Sequence, residues 1–407
     1  MDKGPVLILL GGGRGNWPNF WSVRAYNPSV VYLLRPDGDD TNDLYVKEFL
    51  DKALVDYDDI LNPLPPFDTE ATRRACLGII ERHRNETVLI NITQAPAMMK
   101  IGACYAARES GPNVHAFHRD TIRGVSYPGA GAPPPEPVTL TATVDDYLAA
   151  YGRTAHEKFD YHSLPCAPSE LSRLAAGFAH RYGPFVDLIK QLRWHEQNVG
   201  GDWLSREIDL QPKRPYPRRD QARHRILSDL ADVQMIKDVR IIEKTGGERF
   251  RFASTHVWAF LNGTWLELYA YDEAVKYRDK ATGQRMFSDC RANLEIPNHN
   301  AKNEVDLACL TPAGLLLYAS CKTSSSKDPL KSPLSDANLS DVVDRAGLLG
   351  GAYCGKMLIT TALLKDLKDN FKQQADLRGV EIVCAEQLSD LHVCFDRAME
   401  TVRRRGR

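Results

Sequence analysis

Residues 303–323 read NEVDLACLTPAGLLLYASCKT. Val305, Leu307, Ala308, Cys309 and Leu310 form one apolar run and Leu315 to Tyr318 a second, joined by Pro312-Ala313-Gly314. Runs this continuous do not suit a sheet with one wet face. They predict two adjoining central strands, covered on both sides. Asp306 lies in the first strand and Lys322 closes the second. A carboxylate facing a lysine at strand ends can hold a divalent metal on a phosphate and stabilise the charge that develops there. A surface Asp and a surface Lys at two strand ends give the same pattern, so the stretch alone leaves both readings open.

The chain around it has 407 residues, which implies two or three domains. Its formal net charge of −1 gives no overall sign of a nucleic-acid partner, so any such partner must use a local patch. The nine cysteines include no CxxC pair, which argues against a zinc site or a disulfide framework. Reduced thiols inside apolar runs predict a cytoplasmic protein. Val6 to Leu10 is short and opens onto glycines, as a strand does and a signal peptide does not. No apolar run reaches membrane-spanning length, and no membrane partner is expected.

The first 145 residues predict a β-loop-α-β unit: strand Val6 to Leu10, glycine loop, helix Pro18 to Tyr26, strand Val30 to Leu34. Gly11-Gly12-Gly13-Arg14-Gly15-Asn16 would let backbone N–H groups approach a phosphate, although a plain connecting loop has the same composition. The dinucleotide spacing G-x-G-x-x-G is absent in the right frame. A further strand, Glu86 to Ile92, runs into Thr93-Gln94-Ala95-Pro96 and a helix through Arg108. The two loops, 11–19 and 91–100, would then lie side by side in the crevice of an open α/β sheet.

These residues carry a resemblance. LILLGGGRGNWPNFWSVRAYNPSVVYLL followed by VLINITQAPAMMKIGACYAA resembles the CRISPR-associated Rossmann-fold sensor domain known as CARF. The family's second loop reads N-[LI]-T-G-G-T-K-x-M. This chain keeps Asn91, Ile92, Thr93 and Met99, and has Gln94-Ala95-Pro96-Ala97 in place of Gly-Gly-Thr-Lys. The resemblance implies a homodimer binding a cyclic oligoadenylate through Gly11, Gly12, Gly13, Asn16, Pro18, Asn19, Asn91, Thr93, Gln94, Ala95, Pro96 and Lys100.

Residues 146–245 read as a helical connector, with helices over Pro168–Arg181 and Pro184–His195. Leu210 to Arg225 holds Lys213, Arg214, Arg218, Arg219, Arg223 and Arg225 against Asp220. This is a nucleic-acid contact or a solvated connector. Nothing here supplies the turn and recognition helix of a winged helix. Beyond it, Arg249 to Tyr271 predicts a helix on the spacing of Trp258, Leu261, Trp265 and Leu268, while Asn262-Gly263 equally suits a hairpin turn.

The order helix, strand, strand, helix, strand, helix, strand follows over 246–407. GTWLELY, NEVDLAC, LYASCKT and LLGGAYCGKMLIT resemble the nuclease half of CARF-linked PD-(D/E)xK effectors. The two resemblances together cover most of the chain in the right order. They imply an α/β chain: a Rossmann-like sensor over 1–145, the connector over 146–245, and a restriction-endonuclease-like domain over 246–407. Residue by residue, Glu267 matches the upstream acid, Asp306 the strand acid and Lys322 the lysine. Cys321 lends a backbone carbonyl to the metal, and Ser320 stands where the motif has Glu. Glu304, two residues before Asp306, would share its face in a regular strand and partly compensate. The implied function is a metal-dependent endonuclease using Mg2+ or Mn2+, activated by cyclic oligoadenylate (cyclic tetra-adenylate in particular) and cutting single-stranded RNA, DNA or both. The alternative is an effector-binding protein whose nuclease half binds nucleic acid without cutting.

Overall fold

The structure is a computed structural model. It describes residues 4–11, 17–38, 41–52, 55–59, 63–120, 125–130, 134, 142–199, 203–210, 217–242, 247–279, 283–298, 301–323, 334–350 and 354–405. Three sheets follow one another along the chain.

The first is built from β1 (Val6–Leu10), α1 (Trp17–Tyr26), β2 (Val30–Leu34), α2 (Thr41–Lys52), β3 (Tyr57–Asp59), α3 (Thr69–Arg82), β4 (Val88–Asn91), α4 (Ala97–Ser110), β5 (Val114–Asp120) and β6 (Val125–Ala130). Its order is β3-β2-β1-β4-β5-β6, parallel except for the antiparallel edge strand β6. The chain reverses direction across the sheet between β1 and β4, so the loops after those strands flank the crevice, as expected.

Next come α5 (Val144–Ala149), β7 (His156–Glu157), α6 (Pro168–His180), α7 (Tyr182–Val199), β8 (Ile208–Leu210), α8 (Pro217–Asp232), β9 (Ile236–Ile242) and β10 (Gly247–Phe252). Thr143 caps α5 with a full capping box to Asp146. Strands β8, β10 and β9 form a small antiparallel sheet beside the helices. The basic stretch is divided. Residues 211–216, with Lys213 and Arg214, lie outside the described residues, as do the side chains of Arg218 and Arg219. Arg223 is buried, its Nε 2.6 Å from Glu248 Oε2, so it is not available to a phosphate. Arg225 stays exposed.

The remainder is α9 (Thr255–Ala259), α10 (Trp265–Lys276), β11 (Asp289–Asn298), β12 (Ala301–Leu310), β13 (Leu316–Lys322), α11 (Asp336–Gly350), β14 (Gly355–Thr360), α12 (Asp369–Arg378), β15 (Val380–Val383) and α13 (Leu391–Arg405). The helix expected from Arg249 begins only at Thr255, because 249–252 belong to β10. No hairpin forms at Asn262-Gly263. A wide π turn over Phe260–Thr264 joins α9 to α10 instead, the kind of insertion that recurs at functional sites.

The third sheet runs β15-β14-β13-β12-β11-β7, antiparallel from β7 to β13 and parallel from β13 to β15. Its central strands are covered on both sides, as the apolar runs require. Leu307, Cys309, Leu317 and Ala319 pack with Leu171, Phe178, Phe185 and Trp265 on one face. Ala308, Leu310, Leu316 and Tyr318 pack on the other, in one continuous core with Leu7, Leu9, Trp17 and Phe20 of the first sheet. Residues 168–230 thus share a core with the third sheet, and the first sheet shares the core on its opposite face.

One rung breaks the regularity. Asn293 has φ 54° and stands opposite Asp306. Ala292 packs into one core and Leu294 into the other, and likewise Leu307 and Val305. Positions two apart therefore lie on opposite faces here, and the two-residue periodicity used to place Glu304 beside Asp306 does not hold across this rung.

Candidate functional site

Asp306 is buried in β12, the third strand from the β7 edge of the third sheet. Its Oδ2 accepts hydrogen bonds from the Ser320 hydroxyl at 3.0 Å and the Cys321 backbone N–H at 2.6 Å. The Lys322 ammonium is 3.6 Å from the same oxygen. Strand pairing of β12 with β13 makes this convergence: the two strands run antiparallel from the 311–315 turn, so Asp306 meets the last residues of β13. Glu267, in the first turn of α10, lies close enough to feel the charges of Asp306 and Lys322. Burial, and then the charge of Asp306, push its carboxyl up to about 8. Glu267, Asp306 and Lys322 therefore meet, although 54 residues of chain lie between the first and last.

Ser320 is buried and donates to Asp306, fixing the carboxylate where a second acid was expected. The Cys321 thiol is buried, and burial followed by Asp306 and Glu267 holds it well above its ordinary value, so it is no thiolate ligand. Glu304, expected to compensate in part for the missing acid, is already engaged by another side chain. It is paired with the Lys158 ammonium at 2.8 Å, which pulls its carboxyl below the usual range.

Lys158 escaped the sequence reading. It follows the two-residue strand β7, too short to leave a pattern, and it is placed by the break at Asn293. The Asn293 carbonyl accepts the Lys158 N–H at 2.8 Å, and the Asn293 side chain donates to the Phe159 carbonyl at 3.3 Å. An Asn is among the residues that tolerate a positive φ, and such backbone clusters at functional sites. Arg193 of α7 was also missed. It donates to Asn262 in the π turn (2.8 Å from Nε to Oδ1) and to the Thr323 hydroxyl at 3.1 Å, next to Lys322.

Among the described residues no three His, Cys, Asp or Glu side chains form a metal cage. The donor set is the pair Asp306 and Glu267. Mg2+ is commonly held by one or two carboxylates and completed by substrate phosphate and water. Two carboxylates close enough for the charge of Asp306 to act on Glu267 make a donor pair of that kind.

A pH dependence follows. Glu267 titrates near 8 in the folded chain against an ordinary 4.5. The folded state then keeps a proton that the unfolded chain releases, so this group's contribution to stability falls as pH rises from about 4.5 to about 8. Glu267→Gln should match the parent near pH 4.5 and exceed it at pH 8 to 9, by on the order of a few kcal/mol. Mg2+ or Mn2+ should raise the parent's melting temperature more at pH 8 than at pH 5, and do so less in Glu267→Gln. Identical pH profiles for the two proteins would remove Glu267 from the pair.

At the first sheet the expected ligand residues divide. Gly12, Gly13 and Asn16 lie outside the described residues. Asn91, Asn19 and Pro18 are buried and satisfy one another. The Asn91 amide donates to Pro18 O at 3.0 Å, Asn19 Oδ1 at 3.1 Å and Ser22 Oγ at 2.9 Å. Its carbonyl accepts from the Thr93 N–H and hydroxyl. Asn91 thus ties the two loops together, and its polar atoms are not left for a ligand. Gly11, Thr93, Gln94, Pro96 and Lys100 are half-buried around the crevice, and Ala95 lies beneath. Lys100 is anchored on the Thr93 carbonyl at 3.1 Å.

Two side chains connect this crevice to the third sheet, and neither was foreseen. Trp17, directly after the glycine loop, packs on Gly314 so closely that a Cβ there would lie 2.1 Å from its indole nitrogen. Arg119 donates its backbone N–H to the Thr93 hydroxyl at 2.9 Å, stacks 3.2 Å above the Trp21 ring and donates to the Ala313 carbonyl at 3.3 Å. Both reach the turn between β12 and β13, the strands of Asp306 and Lys322.

No protein-family description matches the sequence, and no curated protein does. Solved structures match over the full length. Protein VC1899 from Vibrio cholerae is 16% identical, with 98% of each chain covered and a TM-score of 0.73. Can2 from Sulfobacillus thermosulfidooxidans, solved in complex with cyclic tetra-adenylate, is 19% identical over 97% of each chain, with a TM-score of 0.66. A type III CRISPR defence DNA nuclease activated by cyclic oligoadenylate is 16% identical over 89% of this chain and 46% of that one, with a TM-score of 0.53. At these identities the likeness is one of fold. It is the mixed α/β fold of Can2, from end to end.

Proposed function

We propose that the chain is a cytoplasmic, homodimeric phosphodiester nuclease switched on by a cyclic oligoadenylate. Residues 1–145 would sense the effector, 246–407 would cut, and 146–245 would pack against the cutting sheet. The observation that carries the reading is the convergence of Glu267, Asp306 and Lys322 at one end of the β12–β13 pair. The full-length likeness to Can2, which binds cyclic tetra-adenylate, supports the effector. The likeness to a DNA nuclease activated by cyclic oligoadenylate supports the output.

Asp306 and Glu267 would hold Mg2+ or Mn2+, with the Cys321 carbonyl; the ion when bound supplies polarisation of the phosphate and activation of water. Ser320 and the Cys321 N–H keep Asp306 in one orientation. Lys322 stands where negative charge grows on the phosphate oxygens, and Lys158 adds a second cation on the same rim.

The effector would bridge two protomers. Met98, Ile101 and Tyr105 form an exposed stripe on α4, and Val125 and Tyr127 extend it on β6. Such a patch suits an isologous contact with a second copy. Tyr105→Glu should convert dimer to monomer in light scattering and weaken effector binding about tenfold or more; an unchanged mass would place the dimer contact elsewhere. Trp17 and Arg119 would carry movement of the loops directly to the 311–315 turn.

The test is cleavage of mixed single-stranded RNA, single-stranded DNA and supercoiled plasmid with Mg2+ or Mn2+, across cyclic oligoadenylates of several ring sizes. Cutting is expected only with metal and effector together. The second reading, an effector-gated nucleic-acid binder, is favoured by one observation: Ser320 replaces the second strand acid and engages Asp306. Binding without cutting at saturating effector and metal would select it.

A further inference from the structure

A cavity of about 280 Å3 lies beside the acidic pair, between β11, α6, α10 and the segment after β7. Its walls include Phe159, Tyr161, Leu268, Tyr271, Asp272 and Arg291. Three facts tie it to the site. Phe159 directly follows Lys158, which pairs with Glu304. Leu268, Tyr271 and Asp272 start one residue after Glu267 on α10, and Tyr271, four residues on, shares its helix face. The Tyr161 hydroxyl, raised first by burial, also feels the charges of Glu267 and Cys321.

The cavity has aromatic walls and polar groups among its lining residues. The Phe159 and Tyr161 rings stand edge to face with centroids 5.1 Å apart. The Tyr161 hydroxyl and Asp272 Oδ2 are buried without a hydrogen-bond partner among the described residues. Both residues line the cavity, so an occupant would meet a phenol ring and a carboxylate side by side. The volume, just under the ~300–1,000 Å3 usual for small-molecule sites, admits one ring system. A nucleobase has faces that stack on aromatic rings and an edge that donates and accepts.

We propose that this cavity seats one unstacked nucleobase of a single-stranded nucleic acid, next to the phosphate held at Asp306 and Lys322. The site rests on the nuclease reading for its neighbour, though not for its chemistry. Asp272 can only accept when ionised, so it favours adenine, cytosine or guanine, whose amino groups donate. Uracil and thymine offer one N–H flanked by two carbonyls, which the carboxylate repels. A duplex, whose bases are stacked and paired, would have to give one up.

The experiment uses the full chain with single-stranded RNA and DNA dodecamers carrying 2-aminopurine at successive positions. Fluorescence is read with effector in EDTA, where no metal-dependent cutting occurs. One position should be quenched far more than the rest. Ser172→Trp, which fills the cavity from α6, should abolish that quenching, and Asp272→Asn should weaken it with little change to the fold. With Mg2+ or Mn2+, an abasic residue at that position should reduce kcat/KM roughly tenfold, the scale of one lost stacked base. Uniform quenching, the same in Ser172→Trp, overturns the proposal even if the chain cuts. Failure to bind any single strand also overturns it. Position-specific quenching in a chain that never cuts keeps the base site and ends the nuclease reading instead.

Discussion

Asp306→Asn is expected to lower effector-stimulated cleavage about 10³-fold, the scale seen when one preorganised charge is removed from a site. Asn is the informative replacement. Asp306 accepts from the Ser320 hydroxyl and the Cys321 N–H, and an amide oxygen can still receive both. Asp306→Ala would strand those two buried donors at a cost of about 1–3 kcal/mol each, so lost activity and lost fold would be confused. The amide variant should melt within a few degrees of the parent and bind cyclic oligoadenylate equally well. Lys322→Ala should show the same division between cleavage and binding, since Lys322 is exposed enough for its loss to leave no buried hole. Parent-like cleavage by Asp306→Asn would refute the site, whichever nucleic acid is cut.

Gly314→Ala should be among the most damaging single changes outside the site. Gly314 has φ 90°, a region where a Cβ costs about 1–2 kcal/mol. That Cβ would also strike the Trp17 indole, and overpacking of this kind costs about 1–3 kcal/mol more. A loss of about 2–5 kcal/mol in a urea melt is expected. The displaced turn should also blunt stimulation by effector, read as the ratio of cleavage with and without it. Trp17→Phe, with a smaller ring and no N–H, should restore part of the stability when combined with Gly314→Ala. A variant with parent stability and parent stimulation would show that Trp17 and the turn are not engaged in solution.

Much of the fold was legible because burial on two faces leaves unbroken apolar runs. Val6–Leu10, Val30–Leu34 and Leu316–Tyr318 announced themselves in this way. Strand β11 did not, since Asp289, Arg291, Asn293 and Glu295 alternate through it and Pro297 interrupts it. The site was legible where it sits inside such runs, as Asp306 and Lys322 do. Glu267 required the resemblance, because an acid beside an apolar helical stripe is ordinarily solvated. Lys158 was beyond reach. Its position depends on a two-residue edge strand and on one Asn with positive φ, partners 135 residues away in sequence. The pairing of Glu304 with Lys158 was out of reach for the same reason, since local periodicity cannot foresee a kink imposed by the neighbouring strand. The contacts of Trp17 and Arg119 with the 311–315 turn are also non-local, and no pattern within either segment encodes them.

The core that runs from Leu7 and Trp17 through Tyr318 and Leu358 makes the chain indivisible. A fragment ending near 145 would expose Trp17, Phe20 and Trp21 to water, and the complementary fragment would expose Leu310, Leu316 and Tyr318. Neither piece could be transplanted onto another scaffold as a working part. Heat should melt the two halves together, and a ligand gripped by the first sheet alone should delay the melting of the third. Protease nicking should likewise degrade the whole chain rather than release a resistant half.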